Sequence, residues 1–214
     1  MGLFNLFNKV LAGSVILFLM LSNICLAQTA KEFFDKGNTL FRKNPGEAII
    51  DYSRVIKQDP KNVDAYMRRG ALYANMHQYE LAIVDFNKAI ELDYNYAEAH
   101  LVRGSTYSMK GDYKKAINDY TKAIELNPNN HDAYVGRASA YSAIREYEKA
   151  IADYTKVIEL NPKYLNIYAW RGAIYMHKGD YAKAWADIHK AQALGVEVSP
   201  NVMEQLKKVS RRKE

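Results

Sequence analysis

AEAHLVRGSTYSMKGDYKKAINDYTKAIELNPNN, residues Ala97 to Asn130, places apolar side chains at three- and four-residue steps on both sides of a Lys110-Gly111-Asp112 break. That spacing predicts two amphipathic helices joined by a short turn. The stretch is not unique in the chain. Gly70 to Tyr94, Gly104 to Pro128, Ala138 to Pro162 and Gly172 to Val196 are copies of one another in register, each 34 residues after the last. The period divides the chain into five units, 29–62, 63–96, 97–130, 131–164 and 165–198. An array of this kind needs about three units for stability, and it works through an extended surface rather than a closed pocket.

Within the repeat, small residues fall where two helices must cross closely. Gly70, Gly104, Ala138 and Gly172 lie in the first helix, and Ala48, Ala82, Ala116, Ala150 and Ala184 in the second. Large rings or their replacements, Tyr52, Phe86, Tyr120, Tyr154 and Ile188, recur in the second helix as expected packing residues. Pro60, Pro128 and Pro162 follow its end, because proline cannot continue the hydrogen-bond ladder. The first unit is one residue short around FRKNPGEA.

These positions closely resemble the tetratricopeptide repeat family over residues 29–198. The resemblance implies an all-α, right-handed α-solenoid of antiparallel helix pairs. Three departures stand out: Arg69, Arg103, Arg137 and Arg171 replace the usual Leu before the small residue, Tyr94 and Val196 replace Pro, and His100 takes an aromatic position. The Arg column has a counterpart in Asp51, Asp85, Asp119, Asp153 and Asp187. Each Asp is expected to meet the Arg of the following unit, Asp51 with Arg69 and Asp153 with Arg171, as an exposed ladder worth roughly 0–1 kcal/mol per pair.

The resemblance also implies that the first helices line a groove for a protein or peptide partner. Its candidate contacts are Met67, Arg68, Leu101, Val102, Met109, Val135, Trp170 and Met176. Family members that grip a chaperone's terminal carboxylate use Lys, Asn and Arg at positions occupied here by Met67, Ala71, Val102, Asp132 and Gly136. None of the five matches, so that specificity is not expected.

Other chemistry is not signalled. The five histidines occupy five different repeat positions and form no metal-ligand spacing, and no glycine-rich phosphate loop or nucleophile–base arrangement is present. The sequence therefore predicts no enzyme, no cofactor, no metal and no nucleic-acid partner; it is silent on oligomeric state. The net charge of +6 is concentrated at Lys207, Lys208, Arg211, Arg212 and Lys213, the end of a helix expected over SPNVMEQLKKVSRRKE. Ser199 and Pro200 suit its start, and Val202, Met203, Leu206 and Val209 form the stripe that would cap the last repeat.

At the other end, Lys9 precedes the apolar run Val10 to Leu21, and Cys25 and Ala27 supply small residues before a cleavage after Ala27. This is the build of a secretory signal peptide, which predicts a periplasmic or secreted protein. An uncleaved anchor over residues 10–27 is the alternative, and only then is a membrane a partner. Cys25 is the single cysteine, so no intramolecular disulfide is available to hold the array together.

Overall fold

The computed structural model describes residues 29–210, and within them every regular element is helical. Residues 1–28, which hold the expected signal segment, and the last four residues lie outside that range. Residues 29–40 form α1. It is followed by α2 (Pro45–Gln58), α3 (Val63–Asn75), α4 (Tyr79–Leu92), α5 (Ala97–Lys110), α6 (Tyr113–Leu126), α7 (His131–Ala143), α8 (Tyr147–Leu160), α9 (Asn166–Lys178), α10 (Tyr181–Ala193) and α11 (Pro200–Ser210). One compact unit ends at Tyr94 and a second begins at Asn95.

Helix boundaries follow local chemistry. Asn44, Asn62 and Asn130 accept hydrogen bonds from the backbone N–H three residues on, capping α2, α3 and α7. Inside each later pair the chain turns through a left-handed residue, and His77, Gly111, Arg145 and Gly179 have φ of 59, 89, 64 and 84°. The next residue's N–H then reaches back to Tyr73, Tyr107, Tyr141 or Tyr175 O at 2.8–2.9 Å, closing the same Schellman turn four times. Proline is not what ends the second helices. α4, followed by Asp93-Tyr94, stops like α2, α6 and α8, with the C-cap N–H bonded to the carbonyl four residues back.

In the first unit, Ala48, Tyr52 and Leu72 form a core with Phe34, Leu40, Phe41 and Ile49 against it. The crossing positions are as tight as the small residues imply: a Cβ on Gly37 would stand 2.8 Å from the Tyr52 ring, and one on Gly70 2.7 Å from Phe86. Gly37 lies 33 residues before Gly70, which is the shortened first repeat.

The second unit repeats the scheme around Ala116, Tyr120 and Ala140, then around Ala138, Ala150, Tyr154, Val157, Ile167 and Ile174. Beyond α10, Leu206 of α11 joins Ala184 and Ile188, with Val202, Met203 and Val209 packed beside them. The Trp185 indole N–H donates to Ser210 Oγ at 3.5 Å. The stripe of α11 is thus spent on α10.

The Arg and Asp columns do meet, but not across the repeat boundary. Arg69 pairs with Asp85, Arg103 with Asp119, Arg137 with Asp153 and Arg171 with Asp187, each within its own helix pair. Nε and Nη2 grip the two carboxylate oxygens at 2.6–2.9 Å. Nor are these pairs exposed: the guanidinium side chains are 16–19 % accessible and the carboxylates 3–10 %.

The link to the preceding repeat comes from the remaining nitrogen. Nη1 of Arg69 donates to Ser53 Oγ at 2.9 Å, that of Arg137 to Thr121 Oγ1 at 3.1 Å and that of Arg171 to Thr155 Oγ1 at 2.9 Å. Each hydroxyl in turn donates to the carbonyl four residues back in its own helix. A planar fork is required for this, and lysine cannot supply it. Where the first repeat has Lys36, Asp51 receives, among the described residues, only a Lys36 Nζ contact at 3.4 Å and one from Arg54 Nη1 at 3.2 Å. His100 adds to the array, its Nδ1 lying 3.5 Å from Asp119 Oδ1 in a buried position.

Candidate binding groove

The first helices of the pairs in the second unit, α5, α7 and α9, carry six of the eight expected groove residues. The structure brings two of them together. Val135 of α7 and Trp170 of α9 face one recess with Ser139, Ser142, Ala173, Ile174 and His177. Tyr154 reaches it from α8, and the cavity measures about 380 Å³. These residues converge because Val135, Ser139 and Ser142 recur at helical steps along α7, while Trp170, Ala173, Ile174 and His177 do so along α9.

The indole of Trp170 is 39 % exposed although it touches two rings, with centroids 6.2 Å from Tyr154 and 5.8 Å from Tyr164. His177 stacks on Tyr147 at 6.2 Å. The lining carries no carboxylate, ammonium or guanidinium. Burial pushes the Tyr154 phenol up to about 12, so it remains protonated at neutral pH.

The other expected contacts are distributed differently. Leu101 is half-buried against the Ala116, Tyr120 and Ala140 core, and Met176 packs into the cluster formed with Leu206 of α11. Val102 is half-buried, its carbonyl accepting from Thr106 Oγ1 at 2.8 Å, and Met109 is 51 % exposed. Met67 and Arg68 belong to the first unit, where Arg68 lies over the Phe41 ring at 5.9 Å.

Tyr154 was hidden from sequence reasoning because it occupies the packing column of Tyr120. The signal that distinguishes the two is the helix residue above each ring, Gly136 in one repeat and Trp170 in the next. Among the described residues no group of three or more His, Cys, Asp or Glu side chains is placed to hold a metal ion, and no helix is long and apolar enough to cross a membrane.

Comparison with known proteins decides the family. A tetratricopeptide repeat model matches residues 63–95, 97–130 and 131–164, and a second matches 153–186. A crystal structure of MamA is 31 % identical, with a TM-score of 0.72 over 74 % of this chain and 94 % of its own. The chain belongs to the tetratricopeptide repeat family. Another MamA crystal structure is 29 % identical, with a TM-score of 0.75 over 81 % of this chain and all of its own. The fold is also that of YrrB, described as a tetratricopeptide repeat protein with an unusual peptide-binding site, at 21 % identity and a TM-score of 0.68 over 82 % of this chain and 89 % of that one. No curated protein sequence matches the chain.

As a tetratricopeptide repeat protein the chain is an all-α solenoid, a fold suited to binding proteins and peptides. Its helix pairs bury their Ala, Tyr and Asp columns, half-bury the Arg column and leave the α7–α9 recess open and apolar, with a tryptophan in its wall.

Proposed function

We propose that this protein is a non-enzymatic scaffold that holds a peptide segment of a partner protein along α5, α7 and α9. The recess between Val135 and Trp170 carries this reading. A half-open indole beside small apolar side chains is the kind of anchor site around which peptide interfaces concentrate their binding energy. Met109 extends the same reading along α5. Localisation in the periplasm or outside the cell, after cleavage behind Ala27, belongs to the proposal and rests on the N-terminal sequence.

The test is recovery of partners from native extract by the tagged wild-type chain and by Trp170→Ala and Val135→Asp variants, each checked for helical content. Partners lost with both variants support the groove. Partners retained at wild-type levels by both would remove it.

A second reading has one observation behind it. Ile50, Leu81 and Val84 in the first unit are 53, 49 and 62 % exposed, whereas the later repeats carry Asn118, Ala152 and Ala186 in the Val84 position. A subunit of an envelope assembly, anchored through residues 10–27, would use such a face. Sequencing the N-terminus of protein from native membrane and soluble fractions separates the two: a start at Gln28 in the soluble fraction supports export with cleavage, and an intact N-terminus in membranes supports the anchor.

A further inference from the structure

Tyr52, Tyr120 and Tyr154 stand at one repeat position, yet their hydroxyls differ. Tyr52 Oη donates to Asn38 Oδ1 at 2.8 Å and Tyr120 Oη to Ser108 Oγ at 3.4 Å. Tyr154 is equally buried, at 5 % exposure, but its hydroxyl has no hydrogen-bond partner among the described residues. Ser142, which corresponds to Ser108, faces the same recess with its hydroxyl likewise unengaged.

Gly136 accounts for the difference. A Cβ placed there would stand 2.4 Å from Tyr120 Cζ and 2.9 Å from its hydroxyl, so the Tyr120 ring occupies the place where an α7 side chain would begin. Trp170 has that side chain on α9. The Tyr120 pose is therefore closed to Tyr154, which lies tilted by 47° against the indole instead. One glycine-to-tryptophan difference between neighbouring repeats thus opens the recess, supplies its apolar wall and leaves the Tyr154 hydroxyl facing it without a protein partner among the described residues. That hydroxyl is not sealed from solvent, so it can exchange water for an acceptor on a ligand.

We infer that the recess is a subsite for one bulky uncharged side chain of a bound peptide, whose main-chain carbonyl accepts a hydrogen bond from Tyr154 Oη. The inference rests on the groove reading above. Val135, Ala173 and the Trp170 indole would contact the guest side chain, while Ser139 and Ser142 face the flanking amides. A volume of about 380 Å³ holds one large side chain with its peptide units. Charged guests are disfavoured because they would shed water without meeting a counter-charge in the lining.

The test uses the ¹⁵N-labelled full chain and capped alanine heptapeptides carrying Leu, Trp, Asp or Lys at the central position. The Leu and Trp guests should shift the Trp170 indole resonance saturably and bind about ten-fold more tightly than the Asp and Lys guests. Tyr154→Phe should weaken the Leu and Trp peptides about three- to ten-fold, the effect of one hydrogen bond, and leave the thermal midpoint at neutral pH unchanged. Equal affinity for all four guests, or an unaltered affinity in Tyr154→Phe, overturns the subsite. If amides of α5, α7 and α9 still shift in those cases, the groove reading stands. Peptides that shift none of those amides overturn both. A Tyr154→Phe chain that melts earlier or fails to fold shows the hydroxyl serving the fold, and that result also overturns the subsite.

Discussion

The joint where Tyr120 meets α7 and the joint where Tyr154 meets α9 are built from equivalent helices, with equivalent Arg–Asp pairs and Thr hydroxyls. They differ at Gly136 and Trp170. The first joint is closed: its ring fills the crossing and its hydroxyl is engaged inside the protein. The second is open, with an exposed indole and a buried phenol facing a cavity. A repeat protein can thus place a site by breaking its own pattern once, leaving the frame that holds the joint untouched.

The largest effect should come from that frame. Arg137→Ala and Arg171→Ala each leave a nearly buried carboxylate without its fork and should cost about 3–5 kcal/mol in urea unfolding. The two costs should agree within about 1 kcal/mol, since additive, equivalent sites differ little. A larger gap would mean that the recess is itself part of the frame. Next, Gly136→Ala drives a methyl into the Tyr120 ring and should lower stability by about 1–3 kcal/mol on the same assay; a neutral result would show that the closed joint is not closed by packing.

A comparable effect is expected at high pH. Tyr154 ionises near 10 when unfolded and, because burial resists the phenolate, at about 12 when folded. A raised folded value means that the stabilisation is complete below pH 10 and is lost as pH rises towards 12, amounting to about 2 kcal/mol. Tyr154→Phe should lose that much less than wild type across the same window in pH-dependent melting. Tyr120 is raised in the same direction by burial, so it contributes a loss that the Phe variant retains. The smallest effect is in the turns. Arg145 adopts the left-handed backbone that Gly179 adopts one repeat later, and Arg145→Gly should raise the unfolding free energy by about 1 kcal/mol.

The fold was legible because its determinants recur. Gly70 against Phe86 and Gly104 against Tyr120 are contacts that a 34-residue spacing makes visible without coordinates. The direction of the Arg–Asp pairing was not legible. In a perfect repeat each Arg has one Asp in the preceding unit and another in its own, and periodicity treats them alike. The choice is made by antiparallel packing within the pair, where the guanidinium fork meets both carboxylate oxygens. The site was half legible. The resemblance placed Val135 and Trp170 at groove positions, but not Tyr154, because its residue type is regular and only its neighbour is not. Met176 was placed in the groove by its repeat position, yet α11 follows α10 and packs into the same cluster.

Asp51 has a consequence for how the molecule comes apart. Every later Asp of its column is clamped by an arginine, whereas among the described residues the buried Asp51 has only a 3.4 Å lysine contact and a 3.2 Å arginine contact, and its Oδ2 makes no hydrogen bond there. α1 therefore lacks the arginine clamp that joins α3 to α4. Thermal fraying, amide exchange and mechanical pulling should all release it before α2 to α4, giving the first unit a defined end from which to unzip.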